Sequence, residues 1–109
     1  MLGMNESRIE LLEKYIKEEP NEPFNHYALA NEYMASDGKK ALDIFLNVLK
    51  EFPDYLPTYY QAAKLLEEFE MEEKALEVYT LGIDLAKTQG NHKTLNELKT
   101  AHQNLLFEI

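Results

Sequence analysis

The chain has 109 residues, one domain's worth, and its 45% hydrophobic and 28% charged residues make it globular rather than disordered. Its net charge of -9, from 11 Lys plus Arg against 20 Asp plus Glu, repels phosphate backbones and anionic lipid, so neither nucleic acid nor membrane is expected as a partner. The absence of cysteine excludes a disulfide framework, a thiolate nucleophile and a cysteine-type zinc site, and no run approaches the roughly 20 apolar residues of a membrane span.

The start, MLGMNESRIE, lacks the cationic and apolar regions of a signal segment, and a soluble, cytoplasmic protein is expected. The first helix is placed at 5–20. Ile9, Leu12 and Ile16 form one stripe, Leu11 and Tyr15 widen it, Asn5 or Ser7 is the cap, and Pro20 stops it. Its closing KEEPN returns as KEFPD a step of 33 later, which sets Leu12 and Ile16 opposite Phe45 and Leu49. This helix therefore reads as the second half of a repeat whose first half is missing. Pro23 suits the first turn of the next helix, which runs to about Ser36 with Leu29, Ala30 and Tyr33 inward and His26 or Tyr27 at the leading contact.

Asp37-Gly38 signals a turn into a third helix carrying Ala41, Leu42, Phe45, Val48 and Leu49, and Pro53 ends it. After the bend at 54–57, a fourth helix turns Tyr59, Ala62, Ala63 and Leu66 inward. A fifth, from about Met71 to Gln89, buries Ala75, Leu76, Tyr79, Gly82, Ile83 and Leu85 or Ala86. Gly90 reads as its C-cap and Asn91 as the N-cap of a last helix, His92 to about Glu108, carrying Leu95, Leu98, Ala101 or His102, and Leu105.

The register is fixed by KALDIFLNVLKEFP at 40–53, which returns as KALEVYTLGIDLAK at 74–87. Ala41 and Ala75, Leu42 and Leu76, Asp43 and Glu77, Phe45 and Tyr79, and Leu49 and Ile83 are all 34 residues apart. A period of this length marks stacked helix pairs that bury their apolar faces on neighbours. The expected fold is all-α, an α-helical solenoid of antiparallel helix pairs with about six helices. Within a single domain the divisions are a half-repeat helix at 5–20, repeats at 23–54 and 56–90, and a capping helix at 91–108. Ala30, Ala62 and Ala63 let helix axes approach, and the rings of Tyr33, Tyr59, Phe45 and Tyr79 fill the wedges between pairs.

Motifs for dinucleotides, nucleotides, zinc proteases and calcium are absent. His26 occupies a packing slot, and His92 and His102 stand 10 residues apart, off the spacing that shares a helix face. Ser7 and Ser36, near helix ends, read as capping or turn residues rather than nucleophiles. The acid cluster Glu67, Glu68, Glu70, Glu72 and Glu73 has two readings, paired carboxylates for acid-base catalysis and a solvated face around a turn, and the second is favoured. No enzyme, metal or cofactor is expected.

These spacings resemble the tetratricopeptide repeat. The second unit matches its pattern at Tyr59, Ala62, Ala63, Leu66, Ala75, Tyr79 and Gly82, and the first at His26, Leu29, Ala30, Tyr33, Ala41, Phe45, Val48 and Pro53. In the first unit one residue is missing from the turn near Asp37 and His26 replaces the usual Trp. Lys87 replaces the exit proline of the second, which predicts that the fifth helix overruns. The whole resembles small free-standing bacterial proteins of this family.

The resemblance implies a concave groove lined by first-half helices, with Tyr27 and Asn31 pointing into it from one unit and Tyr60 and Lys64 from the next. Met34 and Glu67 extend these faces. Lys64 is placed to pair with an acidic side chain of a ligand, while the other reading of Tyr27 and Tyr60 is that they shield the preceding helix. Asn31 stands at the Asn site of the family's carboxylate clamp, but Tyr27 replaces its first Lys, which argues against that mode. The implied function is a protein-protein interaction adaptor that binds a peptide or partner segment. The alternative is a structural protein that self-assembles through its end helices into a homo-oligomer.

Overall fold

Proline and side-chain caps punctuate the chain close to where the sequence places them. The computed structural model describes residues 4–109. Among the described residues there are six helices and no strand: α1 (Met4–Glu18), α2 (Pro23–Tyr33), α3 (Gly38–Glu51), α4 (Pro57–Glu68), α5 (Glu72–Gln89) and α6 (His92–Glu108). They form two compact units, the first ending at Tyr55 and holding α1–α3, the second spanning Leu56–Ile109 and holding α4–α6. Within each unit consecutive helices pack together across short turns, the arrangement of antiparallel helical hairpins.

In the first unit, Pro23 opens α2 beside Glu22, whose side chain accepts from the Phe24 amide at 3.3 Å. Asp37 caps α3 by accepting from the Lys40 amide at 3.1 Å. The core between the two helices is Leu29, Ala30, Ala41, Leu42, Phe45 and Val48, all buried. His26 fills its slot with two contacts: its ring lies 5.6 Å from that of Phe52, and Nε2 donates to the Pro20 carbonyl at 2.9 Å. Arg8 on α1 reaches Glu32 on α2 at 2.6 Å.

Four expectations for this unit change. Ser7 lies inside α1, which is already helical at Met4, so neither it nor Asn5 is the N-cap. Ile9, Leu12 and Ile16 are half-buried as the stripe requires, but Leu11 and Tyr15 stay 45% and 40% exposed, because α1 packs chiefly on α2 and buries a narrower face than the stripe offers. Tyr33 is also half-buried, and Lys40 Nζ sits 4.7 Å from its ring centroid. The residue missing from the first repeat comes out of the helix rather than the turn. α2 stops at Tyr33, the counterpart of Leu66, whereas α4 continues to Glu68.

The second unit closes more tightly. Tyr59, Ala62, Ala63, Leu65 and Leu66 of α4, Ala75, Val78, Tyr79 and Ala86 of α5, and Leu98, Ala101 and Leu105 of α6 are buried. At Gly82 an added Cβ would meet Tyr59 Cβ at 2.8 Å and Leu98 Cδ1 at 3.1 Å. Glycine is therefore what allows α5 to touch α4 and α6 together. As Lys87 predicts, α5 runs to 18 residues where α3 has 14. Thr58 Oγ1, buried at the start of α4, finds no hydrogen-bond partner among the described residues, a desolvation cost the packing absorbs.

Two helices of this unit end in the same way. The Asn91 amide donates to Ala86 O at 3.0 Å and Gly90 to Lys87 O at 3.1 Å, the paired bonds of a Schellman cap, with Gly90 at φ 69°. At the end of α4 the Met71 amide donates to Leu66 O and Glu70 to Glu67 O, both at 2.9 Å, so Glu70 holds the same left-handed conformation at φ 59°. Asn91 then caps α6 by accepting from the Thr94 amide at 3.0 Å.

Two substitutions test this account. Gly82→Ala forces Tyr59 or Leu98 to shift and is expected to cost about 1 to 3 kcal/mol in urea unfolding. Glu70→Gly relieves left-handed strain at the cost of a freer unfolded chain, and is expected to raise stability by about 0.5 to 1 kcal/mol. A destabilised Glu70→Gly would mean that the Glu70 side chain contributes more than its backbone conformation costs.

Candidate functional site

Tyr60, Lys64 and Glu67 follow one another at helical spacing along a face of α4 that turns away from the buried Ala62 and Leu66. Facing them on α6, Asn96, Thr100, Asn104 and Glu108 recur every fourth residue, with Glu97 beside the first. Between these two stripes lies a cleft of about 420 Å³. Ala101 also reaches its wall, and α5 closes the unit behind.

The wall of the cleft is braced from behind by Tyr79. Its side chain is fully buried on α5, its hydroxyl donates to Glu67 Oε2, and its ring edge rests against His102 of α6 at 6.3 Å between centroids. One residue thus ties both walls to the middle helix. Burial, followed by the hydrogen bond to the Glu67 carboxylate, pushes the Tyr79 hydroxyl far above the ordinary tyrosine range. Lys64 Nζ approaches the same Glu67 oxygen only to 3.9 Å, and with its side chain 46% exposed the pair adds little stability.

Of the groove residues expected from sequence, the structure gathers Tyr60, Lys64 and Glu67 on this cleft. Tyr27, Asn31 and Met34 lie on or just after α2 in the first unit, all half-buried. Tyr27 packs against Phe45 at 5.9 Å and Tyr55 at 5.7 Å between ring centroids. The first unit has its own cleft, about 550 Å³ between α1 and α3, and α2 contributes His26 and Leu29 to it rather than Tyr27, Asn31 or Met34.

The α6 wall was missed in the sequence. Its signal was the four-residue recurrence of Asn96, Thr100, Asn104 and Glu108, a polar row beside the buried Ala101. The expected acid cluster divides: Glu67 faces the cleft, while Glu70, Glu72 and Glu73 surround a separate depression with Lys74 and Glu77. Among the described residues no group of three or more His, Cys, Asp or Glu could hold a metal ion. The cleft offers amide, hydroxyl, carboxylate, ammonium and aromatic groups, the means of reversible hydrogen bonding and ion pairing.

No family model matches the sequence, and no curated protein matches it. Solved structures do. A solution structure of a tetratricopeptide repeat domain protein from Salinibacter ruber is 36% identical over 80% of this chain and 89% of that one, with a TM-score of 0.75. A crystal structure of a tetratricopeptide repeat domain protein from the same organism is 35% identical over 77% of this chain and 96% of that one, also at 0.75. A Bordetella parapertussis protein shares the fold at a TM-score of 0.78 over 99% of this chain and 91% of that one, at 19% identity. Among the described residues no helix is long and apolar enough to cross a membrane.

The brace at Tyr79 makes a pH-dependent prediction. Tyr79→Phe leaves the ring and removes the bond to the carboxylate, which is expected to cost about 1.5 to 3 kcal/mol near neutral pH. Because the hydroxyl holds its proton more tightly in the folded than in the unfolded chain, its stabilisation is complete below the ordinary value of 10.0 and declines as pH rises past it. Urea unfolding should therefore show the gap between wild type and Tyr79→Phe narrowing by about 0.8 kcal/mol at pH 10.5. A gap that does not change with pH would remove the hydroxyl from this role.

Proposed function

Because the chain belongs to the tetratricopeptide repeat family, we propose that it is a protein-interaction module that holds a peptide or partner segment along the α4–α6 cleft. The observation that carries this reading is the cleft itself, whose walls present side chains not spent on the fold. Among the described residues Asn96 and Asn104 have no internal hydrogen-bond partner for their side-chain amides, and Tyr60 lines the α4 wall half-exposed. Unpaired amides suit an extended backbone, and a half-exposed aromatic supplies contact area at small entropic cost. Asn31 on α2 and Met34 just after it hold the positions equivalent to Lys64 and Glu67 and are the first unit's own contacts in this reading. Tyr27, packed on Phe45 and Tyr55, contributes least.

A second reading is self-assembly into a homo-oligomer through α6. It is favoured by Leu106, Phe107 and Ile109, which are 49%, 80% and 62% exposed. Light scattering over a wide concentration range separates the two: a monomer throughout leaves the cleft reading, and a mass that rises with concentration and falls on Phe107→Ser supports assembly.

The cleft reading is tested by selecting binders from a displayed random-peptide library on the immobilised chain, then measuring them against Tyr60→Ala. The variant is expected to lose about 1 to 3 kcal/mol of affinity, as buried interface aromatics do, with its thermal midpoint nearly unchanged. If Tyr60→Ala instead melts like Phe45→Ala while binding persists, Tyr60 is core packing and the cleft assignment is wrong.

A further inference from the structure

The α4–α6 cleft is short of positive charge. Glu67, Glu97 and Glu108 line it against a single cation, Lys64. That cation is already drawn to an acid, for Lys64 Nζ lies 3.9 Å from Glu67 Oε2, the oxygen that also accepts from the Tyr79 hydroxyl. Glu97 and Glu108 have no ion-pair partner among the described residues. They share their wall with the amides of Asn96 and Asn104, and the chain's net charge of -9 strengthens the local field.

We propose that the cleft selects a basic segment, an extended peptide bearing lysine or arginine. Carboxylates at Glu97 and Glu108 receive the cationic side chains, the Asn96 and Asn104 amides bond the peptide backbone, and the Tyr60 ring offers a face to a cation or its alkyl stem. This inference rests on the cleft being the binding site. It reverses the ligand sign suggested by Lys64 considered alone, since an acidic segment would meet three carboxylates for one ammonium that Glu67 already attracts.

The test uses the full chain and three fluorescent decapeptides on one glycine-serine-leucine scaffold, carrying four lysines, four glutamines or four glutamates. Anisotropy gives affinity at low and moderate salt, and the side-chain amide NMR signals of Asn96 and Asn104 give location. The lysine peptide is expected to bind at least about fivefold more tightly than the glutamine peptide, to weaken with salt, and to shift both amides. Glu97→Gln with Glu108→Gln should cost at least about fivefold. Glu73→Gln with Glu77→Gln, which removes the same charge from exposed positions outside the cleft, should change affinity less than about twofold.

Equal losses in the two double variants would show attraction to net charge alone and overturn the site. If the glutamine or glutamate peptide binds as tightly as the lysine peptide while shifting Asn96 and Asn104, the basic class is wrong and the cleft remains the binding site. If neither these peptides nor library-selected binders move those amides, the cleft reading and this inference fail together.

Discussion

At Gly82 three helices meet with no room for a methyl group, and the second unit is arranged around that contact. Tyr59 Cβ and Leu98 Cδ1 come within 2.8 and 3.1 Å of where a Cβ would stand, so α5 is held close to α4 on one side and α6 on the other. Tyr79 lies one turn earlier on α5, between the same two neighbours. From there its hydroxyl reaches Glu67 and its ring meets His102. The spacing of the cleft walls thus follows from an absent side chain in the helix behind them. The first unit has Val48 at the corresponding position, fully buried without a glycine.

What the sequence reveals and what it hides divide along the range of the interactions. The prolines and Asp37, Gly90 and Asn91 locate helix ends because those signals act within a few residues, and the 34-residue period adds the pairing because each repeat carries the same local pattern. Burial on α1 is less legible: Leu11 and Tyr15 fit the helical stripe, yet helix period alone does not say how many neighbours a face will have. Tyr27 and Tyr60 hold equivalent repeat positions and meet different surroundings, one against Phe45 and Tyr55, the other at an open cleft. No pattern confined to one helix distinguishes them. The polar stripe of α6 was readable in its spacing, but its meaning depends on the face of α4 across from it.

Glu70 shows the repeat logic strained by composition. Both α4 and α5 end in a Schellman cap, but only α5 has the glycine that this backbone favours. The exposed carboxylate at Glu70 joins Glu72 and Glu73 around the following turn, so a backbone cost coincides with a concentration of negative charge. These acids and those of the cleft lie around different stretches of the unit, and each charge must be assigned to its own surface before a partner can be inferred from the total of -9.

The Tyr79 hydrogen bond also makes the protein its own optical probe. The chain has seven tyrosines and no tryptophan, so phenols dominate its near-ultraviolet emission. A phenol becomes a much stronger acid when excited, and a carboxylate already accepting its hydrogen bond offers the proton a place to go, quenching the ring. While that bond holds, Tyr79 is therefore expected to emit less than a tyrosine with no carboxylate on its hydroxyl. The link between the core and the cleft wall can be followed by light, without a label attached to either.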